Sequence, residues 1–131
     1  MKKILIVEDD RRIRTALGAR LRAAHYEVLP ACDPVYATLL VAVYKPDLII
    51  ADIWMPVMQG LTFVRRLRSL GLGEVPVIFL TASYREGLWE SAMELGAVGY
   101  FEKPYDPDRL LATIASVFAP PTSTAREFAR A

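Results

Sequence analysis

Asp47-Leu48-Ile49-Ile50-Ala51-Asp52-Ile53-Trp54-Met55-Pro56 is a short apolar run that carries one carboxylate to its carboxyl end and is then stopped by a proline. Leu48 to Ala51 shows no polar alternation, the pattern of a strand covered on both faces, as central parallel strands are. Asp52 is thereby expected on the rim of a sheet. A second run, Ile4-Leu5-Ile6-Val7, ends in Glu8-Asp9-Asp10. In an open parallel sheet the carboxyl ends of strands flank the ligand crevice, most often where strand order reverses. Three or four carboxylates are therefore expected to meet in one crevice.

Outward from these two runs, strand and helix alternate. After Ile4–Val7, Ile13, Leu17 and Leu21 mark the apolar face of a helix over Arg11–Ala24. Val28-Leu29 predicts a short strand closed by Pro30, and Asp33-Pro34 predicts an N-cap with proline in the first helical position, opening a helix through Tyr44 that Lys45-Pro46 ends. Gly60 precedes a helix with Leu61, Val64 and Leu67 inward and Gly71 and Gly73 as its stop. Val75–Leu80 predicts a buried strand delivering Thr81. A helix follows from about Tyr84 to Leu95, with Leu88, Ala92 and Leu95 as its stripe and Gly96 closing it. Val98–Glu102 is the fifth strand, ending at Lys103-Pro104, and Asp106-Pro107-Asp108 opens a last helix with Leu110, Leu111, Ile114, Val117 and Phe118 as apolar positions. Five such units predict a doubly wound α/β fold: a five-stranded parallel sheet with right-handed crossovers and helices on both faces. Residues 1–119 read as one domain, and 120–131, beginning Pro120-Pro121-Thr122-Ser123-Thr124, as a linker or tail.

Bulk properties narrow the function classes. A length of 131 residues suits one domain, and 53% hydrophobic with 24% charged residues describes a globular chain. No apolar run approaches the ~20 residues that span a bilayer, and Met1-Lys2-Lys3 leads straight into a strand, so a cytoplasmic protein without membrane contact is expected. The net charge of +1 argues against direct nucleic-acid binding. The arginine clusters at 11, 12 and 14 and at 65, 66 and 68 read as solvated helix faces. Cys32, the single cysteine, cannot form an intrachain disulfide and is expected to be buried or half-buried; His25, the single histidine, removes His-rich metal sites and disfavours a Ser/His/Asp triad.

The strand ends then carry Glu8 and Asp9, Asp52, Thr81 and Lys103. Two carboxylates ~5 Å apart repel by roughly 3 kcal/mol at an effective dielectric of ~20. Lys103 sets one positive charge against the three carboxylates of Glu8, Asp9 and Asp52. A divalent cation would fill the deficit, and an oxygen-only donor set with room for water and phosphate oxygens favours Mg²⁺ over Ca²⁺.

With Ile-Val-Glu-Asp-Asp (6–10), Asp-Ile-Trp-Met-Pro (52–56), Gly60, Leu-Thr-Ala (80–82), Gly-Ala (96–97) and Tyr-Phe-Glu-Lys-Pro-Tyr (100–105) in register, the chain from Lys3 to about Phe118 resembles the receiver domain of a two-component response regulator. The resemblance implies the flavodoxin-like, CheY-like strand order 2-1-3-4-5. It implies that Asp52 is the phosphoacceptor for a sensor histidine kinase or phosphotransfer protein, and that Asp9, Asp52 and the backbone carbonyl of Trp54 ligate Mg²⁺, with Glu8 helping through water. Thr81, Lys103 and the amide of Ala82 would meet the phosphoryl oxygens, and Lys103-Pro104 would be a cis peptide. Activation in the family couples Thr81 to an aromatic on the fifth strand, here Tyr100. The chain would be a phosphoacceptor rather than a stand-alone enzyme.

The resemblance also names a partner surface on the fourth helix, fifth strand and last helix. Trp89 and Met93, four apart on a flank of the Leu88 stripe, and Arg109 are the interface candidates there. A homodimer formed on phosphorylation is among the partners it allows; the output domain or target is not specified. Glu8 replaces a common aspartate and Gln59 a common acid before Gly60. Trp54 and Ser83 stand two residues beyond Asp52 and Thr81, where side chains tune loss of the phosphoryl group, and Trp54 is expected to slow it. Ala97-Val98-Gly99 lacks the acidic residues expected of the DNA-binding winged-helix subfamily, which weakens a transcriptional output. A dehalogenase-like phosphohydrolase would need a second Asp at position 54, and a nucleotide-binding domain a glycine-rich turn after the first strand; neither is present. A phosphorylation-independent interaction module remains the alternative, and the full polar set argues against it.

Overall fold

The computed structural model describes residues 1–120 apart from Gly73 and Tyr84. The stop signal at Gly73, the helix start at Tyr84 and nearly all of the linker or tail lie outside the described residues. Ten elements alternate in chain order: β1 (Lys3–Val7), α1 (Arg11–Ala23), β2 (Glu27–Ala31), α2 (Pro34–Tyr44), β3 (Leu48–Asp52), α3 (Gly60–Ser69), β4 (Val77–Thr81), α4 (Leu88–Glu94), β5 (Gly99–Glu102) and α5 (Pro107–Phe118). The strands form one parallel sheet in the order β2-β1-β3-β4-β5. The predicted fold class and order are those observed.

Strand alternation sorts the apolar side chains into two layers. Ile4, Ile6, Leu48, Ile50, Ile78 and Leu80 face Leu17 and Leu21 of α1 and Leu110 and Ile114 of α5. Leu5, Val7, Ile49, Ala51, Val77 and Phe79 face the other way, onto α2, α3 and α4, where Phe63, Leu67, Leu88 and Ala92 are buried. β3 and β4 are buried at every position, as their unbroken apolar runs require. The helix starts follow the predicted cap chemistry: Asp33 accepts from the amide of Tyr36 at 2.8 Å, and Asp106 accepts from that of Asp108 at 2.9 Å.

Four expectations are corrected. β2 runs through Pro30 instead of stopping there, because β2 is an edge strand and a proline without an N–H costs nothing on an unpaired edge. β4 begins at Val77, since Val75 and Pro76 precede the ladder. α4 is a turn shorter than its apolar spacing suggested: Gly87 sits at φ 87°, a left-handed conformation that holds the chain out of the helix until Leu88. Cys32 is exposed, because it lies on the turn between β2 and the cap of α2.

Candidate functional site

The carboxyl ends of β1, β3, β4 and β5 gather the polar residues at one edge of the sheet, and backbone bonds fix their spacing. The Glu8 amide donates to the Ala31 carbonyl at 3.1 Å, that of Ile53 to Leu80 at 2.8 Å, and that of Lys103 to Thr81 at 2.7 Å. Residue by residue, the strand ends deliver Glu8, Asp52, Thr81 and Lys103 side by side, with exposed Asp9 at the mouth. Glu8, Asp9 and Asp52 each bring a carboxylate oxygen within 4.8 Å of the others. Asp10 leaves the cluster, since its carboxylate accepts from the amides of Arg12 and Ile13 as the N-cap of α1.

Glu8 and Asp52 are 1% and 4% exposed, so their charges are nearly removed from water. Lys103 Nζ lies 2.5 Å from Glu8 Oε1 and 3.4 Å from Asp52 Oδ1. Burial pushes the Glu8 carboxyl up to about 7, and the hydrogen bond from Lys103 only partly offsets it. Burial likewise raises Asp52 above the usual carboxylate range, against the pull of the Lys103 charge. Burial would depress Lys103, but its hydrogen bond to Glu8 and the charges of both carboxylates outweigh that and leave it raised, hence cationic. Among the described residues Asp52 Oδ1 is buried with no hydrogen-bond partner. A buried acceptor of this kind is costly unless another group satisfies it.

The residues present fit a hard dication. Three carboxylates converge within ligand reach of one another, the donors are all oxygen, and among the described residues Lys103 alone forms ion pairs with the cluster while Asp52 Oδ1 is a buried acceptor without a hydrogen bond.

Around this core the loops are tied together. The Thr81 hydroxyl, fully buried, donates to the Ser83 carbonyl at 2.8 Å and accepts from the Ser83 amide at 3.3 Å. Trp54 is half-buried; its indole Nε1 donates to the same Ser83 carbonyl at 3.4 Å, and the Arg85 guanidinium lies over its ring, 4.4 Å from the centroid. Trp54 thus bridges the loops that follow β3 and β4. Tyr100 pairs in register with Phe79 and lies on the same sheet face as Thr81, packed against the α2–α3–α4 layer. Lys103-Pro104 is cis. Trp89 is 51% exposed on α4, Met93 is half-buried against that layer, and Arg109 is exposed on α5.

Two residues were not singled out for the roles they play here. Arg14, read as part of a solvated face, donates from Nη1 to the Glu8 carbonyl at 2.7 Å and so holds the β1–α1 turn. Only its place one turn into α1, facing back along the chain, could have suggested this. Gly60 packs so closely on the end of β3 that a Cβ there would overlap the Asp52 carbonyl oxygen and lie 3.2 Å from Ile53 Cα. A glycine opening a helix without a side-chain cap was the available signal.

Comparison with known proteins gives a consistent picture. A family model described as response regulator receiver domain matches residues 4–115. The phosphate regulon transcriptional regulatory protein PhoB of Pseudomonas aeruginosa is 37% identical over 117 residues, covering 88% of this chain and 51% of PhoB. The alkaline phosphatase synthesis transcriptional regulatory protein PhoP of Bacillus subtilis is 34% identical over 116 residues, covering 88% of this chain and 48% of PhoP. The chain therefore spans about half the length of these curated relatives. Among solved structures, the chemotaxis protein CheY4 of Vibrio cholerae matches with a TM-score of 0.83 at 34% identity, covering 90% of this chain and 99% of that one.

Proposed function

Since the chain belongs to the response regulator receiver domain family, we propose that it is a phosphoacceptor in a two-component phosphorelay, taking a phosphoryl group onto Asp52 in a Mg²⁺-dependent reaction. The donor is a phosphohistidine of a sensor histidine kinase or phosphotransfer protein. A carboxylate oxygen of Asp52 forms the new P–O bond as the P–N bond of the phosphohistidine breaks, leaving an aspartyl phosphate and a free imidazole. The observation that carries this reading is Asp52 Oδ1, buried without a hydrogen bond among the described residues and 3.4 Å from a lysine ammonium.

Phosphoryl transfer asks a protein mainly for positioning and for neutralising charge on the equatorial oxygens. Lys103, held by Glu8, supplies a fixed positive charge beside the nucleophile. Thr81 and the Ala82 amide are the proposed donors to the phosphoryl oxygens, which requires the Thr81 hydroxyl to let go of Ser83. Glu8, Asp9, Asp52 and the Trp54 carbonyl would hold Mg²⁺, which when bound supplies Lewis-acid charge neutralisation. Movement of Thr81 opens space on the sheet face that Tyr100 shares, and Tyr100 turning into it is the proposed switch.

The receiver unit is proposed as residues 1–119, with 120–131 a linker or tail. Trp89, Met93 and Arg109 are the proposed contacts on the α4–β5–α5 face for an output domain or target, or for a second phosphorylated copy. No described helix is long and apolar enough to cross a membrane; a cytoplasmic location and an output exerted without direct nucleic-acid contact by this domain belong to the same proposal, as does action as a regulator rather than a stand-alone enzyme.

The test is tryptophan fluorescence during addition of beryllofluoride or acetyl phosphate with Mg²⁺, because Trp54 adjoins the site. A saturable change that requires Mg²⁺ and is lost in Asp52→Asn is expected. No change, or an equal one in Asp52→Asn, would favour the phosphorylation-independent interaction module.

A further inference from the structure

Helix α2, Pro-Val-Tyr-Ala-Thr-Leu-Leu-Val-Ala-Val-Tyr (34–44), has no charged residue on any face. Its inner face buries Pro34, Ala37, Leu40 and Val41 against the sheet. Val35, Tyr36, Leu39 and Val43, roughly half a turn away by the helical period, point outward with 66%, 47%, 56% and 60% of their surface exposed. A helix that is apolar all round belongs in an interior, yet half of this one faces water. The exposed fractions amount to about 400 Å² of largely apolar surface, within the range of the largest patch a typical monomer leaves open.

We infer that this face of α2 pairs with α2 of a second copy of the chain, antiparallel about a two-fold axis, forming a dimer that does not require phosphorylation. Charge favours a second copy as the occupant, and area makes the association a weak one. Two such faces together bury at most about 800 Å², the size of a weak, transient encounter. The stripe carries no charge to repel its own copy. Its ends are opposite in sign, with Asp33 at the amino end and Lys45 at the carboxyl end, so antiparallel packing sets Asp33 of each copy near Lys45 of the other. Leu39 is the midpoint of the helix, so it meets its own counterpart on the axis, while Val35 meets Val43. The pairing leaves the acidic rim open in both copies, and it lies away from the α4–β5–α5 face.

Sedimentation of the unphosphorylated chain in chelator, from micromolar to about 1 mM, tests the inference. A reversible monomer–dimer equilibrium is expected, with the dissociation constant raised at least about tenfold by Leu39→Glu. Because Leu39 is exposed, that variant should keep its circular dichroism and its acetyl phosphate response. Crosslinking is the second arm. Leu39→Cys combined with Cys32→Ser should form a disulfide-linked dimer under mild oxidation. The native Cys32, some seven residues from the midpoint and thus on the order of 20 Å from its counterpart, should not. A monomer at all concentrations would overturn the inference and leave the face to a different partner. A dimer insensitive to Leu39→Glu, or crosslinking through Cys32 and not through position 39, would overturn it as well.

Discussion

Replacing Asp52 with Asn should stabilise the protein in the absence of divalent metal. Asp52 is 4% exposed, so its charge carries a desolvation cost of several kcal/mol. At an effective dielectric of ~20, Lys103 at 3.4 Å returns about 5 kcal/mol. Repulsion from Glu8, with carboxylate oxygens within 4.8 Å, takes back at least about 3.5 kcal/mol, and Asp9 adds to it. The remaining attraction does not cover the desolvation, in line with the raised pKa of Asp52. Asn keeps the shape and removes the charge, which should add about 2 kcal/mol at pH 8. For a domain of this size that is roughly 6–10 °C in Tm. Thermal unfolding in chelator, followed by circular dichroism, reads it directly. Saturating Mg²⁺ should then stabilise the parent chain by about 3 kcal/mol at a hundredfold excess over its Kd, and Asp52→Asn far less, closing or reversing the gap. An Asp52→Asn variant less stable than the parent in chelator would refute the charge argument.

The Glu8 carboxyl, lifted from 4.5 to about 7, gives a signed pH dependence. Its folded pKa exceeds its unfolded value, so the folded state binds the extra proton between them; metal-free stability should fall as pH rises from about 4.5 to 7, by up to about 1.4 kcal/mol per unit. Urea titrations in chelator across that range check it, and a rise would contradict it. Gly60→Ala, whose Cβ would overlap the Asp52 carbonyl, should cost about 2–3 kcal/mol and lower the urea midpoint; an unchanged midpoint would mean that the β3–α3 turn yields freely. Trp54→Ala removes both the bond to Ser83 and the ring beside the site. It should speed loss of the phosphoryl group by about fivefold, the factor carried by ~1 kcal/mol, and an unchanged or slower loss would remove that role.

Much of the fold was legible because burial on both faces writes itself as an unbroken apolar run: β3 and β4 could be read from Leu48–Ala51 and Val75–Leu80, the latter two residues early at its start. Caps were legible for a similar reason, since Asp-Pro before an apolar stretch has one inexpensive conformation. The misreadings fall where a local signal depends on tertiary position. Pro30 stops an interior strand but not an edge strand, and only the sheet order tells which it is. The α4 start is set by Gly87, whose left-handed φ overrides the apolar spacing of the helix. At the rim, the charged side chains were foreseen because each follows a strand. The Arg14 clamp on Glu8 and the close approach of Gly60 to Asp52 were not, because both involve backbone atoms whose position no side-chain pattern records. The outward face of α2 escaped notice for the opposite reason: a helix apolar on every side gives no periodic contrast by which to see that half of it is left in water.

The most direct measurement locates the phosphoryl group. After incubation with acetyl phosphate and Mg²⁺, borohydride reduction converts an aspartyl phosphate to homoserine, which peptide mass spectrometry can place in the chain. The account predicts homoserine at position 52 and none when Mg²⁺ is withheld. Label at another residue, or equal labelling of Asp52→Asn, would contradict it.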